Sequence, residues 1–246
     1  MENFNTLFKK ILLAASALCL FILLISGFVL LRHVNLLGQA PTEEPRTEEE
    51  QRVIDELPED LVYALPRRAT PHQLELFELL FSAHDDFNTI VIDSFLLTYS
   101  EMIARNFVAD FFTFSNKDSR HDIGGLQFIH EEVVDAFFDF AVNTFYLHLN
   151  QHLDIFGAES LPTVATTRVI NSETDWQRLE LNEYPWAEYL PVIIVDVEWT
   201  YATTTLPDIH EFQTSARFIL QEDAGVIRIR SIEQMPIEEE PVQNLW

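Results

Sequence analysis

The residue patterns that could carry chemistry in this chain are few, and each stops short of a working set. His130-Glu131-Glu132-Val133-Val134 opens like the helix of a zinc peptidase, but Val134 occupies the place where the second histidine must stand. His148 and His152 are four residues apart near the end of an expected helix, with Asp154 as a third candidate ligand. Imidazoles at a helix C-terminus are favoured by the macrodipole in any case, and no metal is assigned to them. There is no G-x-S-x-G elbow for a serine nucleophile, and Gly124-Gly125 is too short for a phosphate loop. The single cysteine, Cys19, lies inside a long apolar run, so thiolate catalysis and cysteine-ligated zinc are excluded from the rest of the chain.

Two aromatic sets remain. Tyr99, Tyr146, Trp199 and Tyr201, together with Asp110, are candidates to reach a closed apolar pocket. A carboxylate buried among aromatics there would have a raised pKa and could act as a base. Asp110 is expected on the polar side of its helix, however, and aromatics at helical or strand spacing usually form core. Trp176, Tyr184, Trp186 and Tyr189, with Pro185 among them, cluster in an expected loop and make a candidate contact surface, because Trp and Tyr favour interfaces. Packing over the open end of the sheet explains them equally well. The reading is non-enzymatic, with no catalytic residue, cofactor or metal ligand assigned.

The elements that position these residues follow from hydrophobic period. From His72, Leu74, Phe77, Leu80 and Phe81 share a helical face. A longer helix is expected after Asp85-Asp86, with Ile92, Leu96, Tyr99, Ile103, Phe107, Phe111 and Phe114 as its stripe. A third runs from about His130, burying Val134, Phe137, Phe138, Ala141, Phe145 and Leu149, until Gly157 ends the region. After Pro162 the period becomes 2: Thr163–Asn171, then Ile193 to Tyr201, Phe212 to Leu220, and Val226–Glu233 behind the turn Glu222-Asp223-Ala224-Gly225. Each strand has one apolar and one polar face. Helices first and four meandering strands after them predict an α+β domain, helices on one face of a curved antiparallel sheet.

In front of that domain, Ile11–Leu31 is an unbroken apolar run that would reach roughly 30 Å as a helix. Ile11, Leu20, Phe21 and Leu31 mark this expected anchor. It lacks a small-residue cleavage site, and Lys9-Lys10 place the N-terminus in the cytoplasm by the positive-inside rule. The expected organisation is a cytoplasmic tail 1–10, an anchor 11–32, an acidic Pro/Glu-rich linker 33–71, an extracytoplasmic domain 72–235 and an acidic tail 236–246. With 40 acids against 15 Lys and Arg, the net charge is −25, which argues against nucleic acid and anionic lipid headgroups.

The order of elements resembles the nuclear-transport-factor-2-like (cystatin-like) cone. With a single span in front, the whole resembles the bitopic scaffold component of type IV secretion and conjugation systems. Phe107-Val108-Ala109-Asp110-Phe111-Phe112-Thr113-Phe114-Ser115-Asn116-Lys117-Asp118, continuing to Gly124-Gly125-Leu126-Gln127, is similar to conjugation-associated membrane proteins of Gram-positive bacteria. The resemblance implies a structural role, self-association or contact with other membrane-complex proteins, and no catalytic residues. A membrane-tethered domain that binds a small molecule in the cone is the alternative.

Overall fold

The computed structural model describes residues 46–55, 61–89, 93–179, 188–206, 209–223 and 225–235. The expected anchor, Tyr184, Trp186 and the tail 236–246 lie outside them. Among the described residues no helix is long and apolar enough to cross a membrane.

Helices come first: α1 (Glu48–Asp55), α2 (Pro71–Thr89), α3 (Asp93–Phe111), α4 (Val134–Asn143) and α5 (Leu149–Phe156). Strands β1 (Val164–Leu179), β2 (Glu188–Tyr201), β3 (Ser215–Asp223) and β4 (Val226–Glu233) follow and pair antiparallel in that order. The chain is therefore α+β, as its periodicities predict.

Alternation explains how the sheet buries its inner face. Ile193, Val195 and Val197 stand opposite Leu220, Phe218 and Ala216, and all six are buried in the main core. Against them α3 lays Ile103, Phe107 and Phe111, each essentially inaccessible to solvent. The opposite face is not wholly polar: Val192, Ile194 and Ile219 form a small buried cluster of their own. The last turn behaves as expected, with Gly225 at φ 86° and its N–H donating to Glu222 Oε1 at 2.6 Å. At the far edge of the sheet, His130 N–H donates to Ile229 O at 2.8 Å and the Tyr63 hydroxyl donates to Ile227 O. These contacts occupy a strand edge that would otherwise offer unpaired groups.

Several expectations are corrected. Asp85 and Asp86 lie inside α2, and the next helix begins only at Asp93. The third helix is two helices. Asn143 Nδ2 donates to Asp139 O and Thr144 Oγ1 to Phe140 O, both at 2.7 Å, and these side chains compete with the helical ladder. Thr144 then turns to φ −127°, ψ −85°. The break carries Tyr146 into the core and leaves Phe145 40% exposed, not buried.

β1 continues past Asn171 to Leu179, so Trp176 is a strand residue opposite Pro191, and Tyr189 is one opposite Arg178. Neither sits in a loop. The acidic stretch expected as a solvated spacer also contributes α1, in which Glu50 and Val53 are buried. Thr47 and Glu50 form a capping box, and Glu50 Oε1 further accepts the Ala69 N–H at 3.0 Å.

Candidate functional site

The segment Phe107–Gln127 folds into a buried polar knot around Asp110. Asp110, expected to face solvent, is buried at the end of α3 and pairs with Lys117 Nζ at 2.6 Å. Its second oxygen accepts the Gly125 N–H at 2.7 Å. Gly124 packs so tightly beneath it that an added Cβ would come within 2.3 Å of the Asp110 carbonyl oxygen. The Tyr146 hydroxyl donates to Phe111 O at 2.5 Å and accepts the Gly124 N–H at 3.4 Å. Burial pushes the Tyr146 hydroxyl pKa up, and the Asp110 carboxylate acts in the same direction, so the phenol stays a donor. With both its oxygens engaged, Asp110 serves structure.

A second polar seam staples α2, α3 and β1. Arg105 Nε donates to Thr167 Oγ1 at 3.0 Å, and His72 Nε2 lies 3.5 Å from the same hydroxyl. Burial lowers the His72 pKa, opposed by Glu75 and reinforced by the Arg105 cation. Burial lowers that of Arg105 as well. The Ser172 hydroxyl donates to Glu101 at 2.5 Å from an inward position of β1 beyond Val169.

Tyr99, Tyr146, Trp199 and Tyr201, the expected pocket set, each pack against other rings. Tyr99 stacks on Phe87 at 5.2 Å. Tyr146 sits among Phe111 and Phe114, Trp199 against Phe112 at 4.4 Å, and Tyr201 beside Phe212. All four are core or core-edge residues. Of the candidate contact set, Trp176 is 65% exposed on β1. His148 and His152 have ring centres 6.4 Å apart, and among the described residues no group of three His, Cys, Asp or Glu could hold a metal.

Among the described residues a cleft of about 460 Å³ opens between α4 and the end of β4. Its floor is Phe111 and Phe112 from the end of α3, with Ile229 and Ile232 of β4. Val133, Ala136, Phe137 and Phe140 make one wall, at the three- and four-residue spacing of a single helical face. Phe145 closes the corner, its ring 5.3 Å from Phe111 and 5.7 Å from Phe112. At the mouth, Phe140 is 54% exposed. Arg230, the cation on this lining, is already held: Nη2 pairs with Glu132 at 2.6 Å and Nη1 lies 3.2 Å from His130 Nδ1. The arrangement can bind apolar groups.

No family model, curated protein or solved structure matches this chain. The reading of the site therefore rests on its geometry. Sequence reasoning missed the cleft because four separate segments build it. One signal was available. Val134, Phe138, Ala141 and Val142 form a second apolar stripe beside the first, so α4 is apolar on more sides than core packing needs.

Proposed function

We propose that the chain is a non-enzymatic, membrane-anchored assembly protein whose outer domain holds a partner in the α4–β4 cleft. The observation that carries this reading is an aromatic-walled cleft whose mouth leaves Phe140 and Phe145 exposed. Large apolar side chains rimmed by polar ones mark binding surfaces more often than catalytic ones. The apolar run Ile11–Leu31 supports anchoring, with the N-terminus cytoplasmic and the domain outside. The resemblance to conjugation and type IV secretion scaffolds supports a place in a membrane-spanning transfer apparatus, among copies of itself or other membrane-complex proteins.

The test is a photo-crosslinking amino acid at position 140 in the living cell, followed by purification and mass spectrometry. Crosslinks to a membrane-complex protein, absent when the probe sits at exposed Glu48, are expected. Recovery of the uncrosslinked chain alone would overturn the assembly reading. A second reading, a tethered small-molecule-binding domain, is favoured by the cleft volume, which falls within the roughly 300–1,000 Å³ of ligand sites. Native mass spectrometry that finds a bound small molecule would select it.

A further inference from the structure

We infer that the outer edge of β1 pairs antiparallel with the same edge of a second copy of this chain, an inference that rests on the self-association named in the assembly reading above. The two edges of the sheet differ. His130 and Tyr63 meet the edge of β4, whereas β1 is exposed at Arg168, Ile170 and Asn171 and throughout 173–176. An open edge strand is a template for another strand unless something blunts it.

Which backbone groups point off this edge follows from β2. Trp199 N–H donates to Thr214 O at 2.9 Å, toward β3, so its partner Thr167 turns its own N–H and C=O away from β2. Alternation gives Val169 the same direction and, past the bulge between Val169 and Asn171, passes it to Ser172, Thr174 and Trp176. Trp176 agrees. It stands opposite Pro191, which has no N–H, and its own N–H donates to Asp175 Oδ1 at 2.7 Å. That bond closes one end of the edge. Among the described residues no partner meets the outward groups of Val169, Ser172 and Thr174.

Charge selects the occupant and the register. Arg168 precedes the bulge, while Glu173 and Asp175 follow it. All three lie on the sheet face away from the main core, opposite Glu198, Ile194 and Val192. The strand is thus its own complement when reversed. A two-fold axis at Ser172 sets Val169 against Thr174 of the second copy and, one step on, Arg168 against its Asp175, and symmetry repeats the pair. The Arg168 side chain is 72% exposed although its Nη2 already meets Glu198, so further donors of the guanidinium face water. An axis at Thr174 would instead set Glu173 against Asp175, like charge on like. The net charge of −25 on each copy is screened beyond about 8 Å at physiological salt, so the pairs at the seam decide.

The test uses the full chain in non-ionic detergent micelles, with sedimentation equilibrium across concentration and oxidative crosslinking of chains that carry Cys19→Ser. A monomer–dimer equilibrium is expected. Thr174→Pro removes an outward N–H that the folded monomer does not use, and should weaken the dimer by about tenfold or more with circular dichroism unchanged. Arg168→Glu should weaken it by about tenfold, and Arg168→Glu/Asp175→Arg should return it to within about threefold of the parent. Differently tagged Arg168→Cys and Asp175→Cys chains should crosslink to each other. Asp175→Cys should not crosslink to itself, because its two copies lie roughly 23 Å apart along the seam at about 3.3 Å per residue. A monomer at every concentration, a dimer untouched by Thr174→Pro, or Asp175→Cys chains that prefer one another would overturn the inference. If crosslinks from position 140 persist in that case, the assembly reading survives without it.

Discussion

The polar knot and the apolar cleft meet at Phe111 and treat it oppositely. Phe111 gives its carbonyl oxygen to Tyr146 in the knot and its ring to the floor of the cleft. In the knot both carboxylate oxygens of Asp110 have a close partner, and the surrounding glycines leave no room for a further atom. In the cleft the rings have partners on one side only. A buried polar group left without a partner is costly, so nature closes such clusters. An apolar wall left open costs less and keeps free energy in reserve for a partner. The comparison teaches that the most chemically provocative residues here, a buried aspartate, lysine and tyrosine, hold the fold. The featureless phenylalanines are the binding candidates.

The largest expected effect comes from opening the knot. Lys117→Ala leaves Asp110 buried without its cation and should cost about 3–5 kcal/mol in urea unfolding of the domain. A loss under about 1 kcal/mol would mean that the pair is not closed as described.

Next come two phenylalanines on either side of the divide. Phe107 is buried, stacked on Phe111 at 5.2 Å and edge-on to Phe218 at 5.6 Å, so Phe107→Ala should cost about 3–5 kcal/mol. Phe145→Ala, at the open corner, should cost about 1 kcal/mol. Equal losses at both would show the cleft to be core.

Phe140→Glu should change stability by only about 0.5 kcal/mol, measured the same way, because the ring already meets water. The smallest effect lies at the His72 seam. Its folded pKa is lowered from 6.5, so below about pH 6.5 the unfolded chain takes up more protons than the folded one. The neutral imidazole's contribution is present above that pH and lost as pH falls. His72→Asn should therefore flatten the fall in stability below pH 6.5, read from urea midpoints across pH. An unchanged slope would remove His72 from the seam's energetics.

Much of the frame was legible because it follows from period. Val195, Val197 and Trp199 announce a strand by alternation, and Ile103, Phe107 and Phe111 announce a helix by spacing. What escaped depends on contacts between segments. Asp110 looks polar and exposed on its helix until the turn after it brings Lys117 back, seven residues on. Asn143 and Thr144 are tolerable helix residues, and only their bonds to Asp139 and Phe140 stop the helix. Trp176 reads as a loop residue because polar Ser172, Glu173 and Asp175 hide an edge strand. Glu50 belongs to a run that reads as solvated, while its acceptors serve amides at Thr47 and Ala69. The cleft itself needs four segments and has no local signature beyond the doubly apolar α4.

That Glu50 carboxylate has a mechanical meaning. A pull arriving along the chain from its N-terminal side meets the domain first at one side chain, which ties residue 47 to residue 69. Behind it Val53, Tyr63 and Leu65 are seated in turn. The load is thus taken up by a series of small fastenings, of which Tyr63 is the one that reaches the sheet, at Ile227 O. Drawn straight, residues 46–70 would pay out roughly 80 Å of contour at about 3.3–3.6 Å per residue. Residues 46–55 and 61–70, which look like a passive spacer, are fastened to the domain, and a single carboxylate holds the first latch.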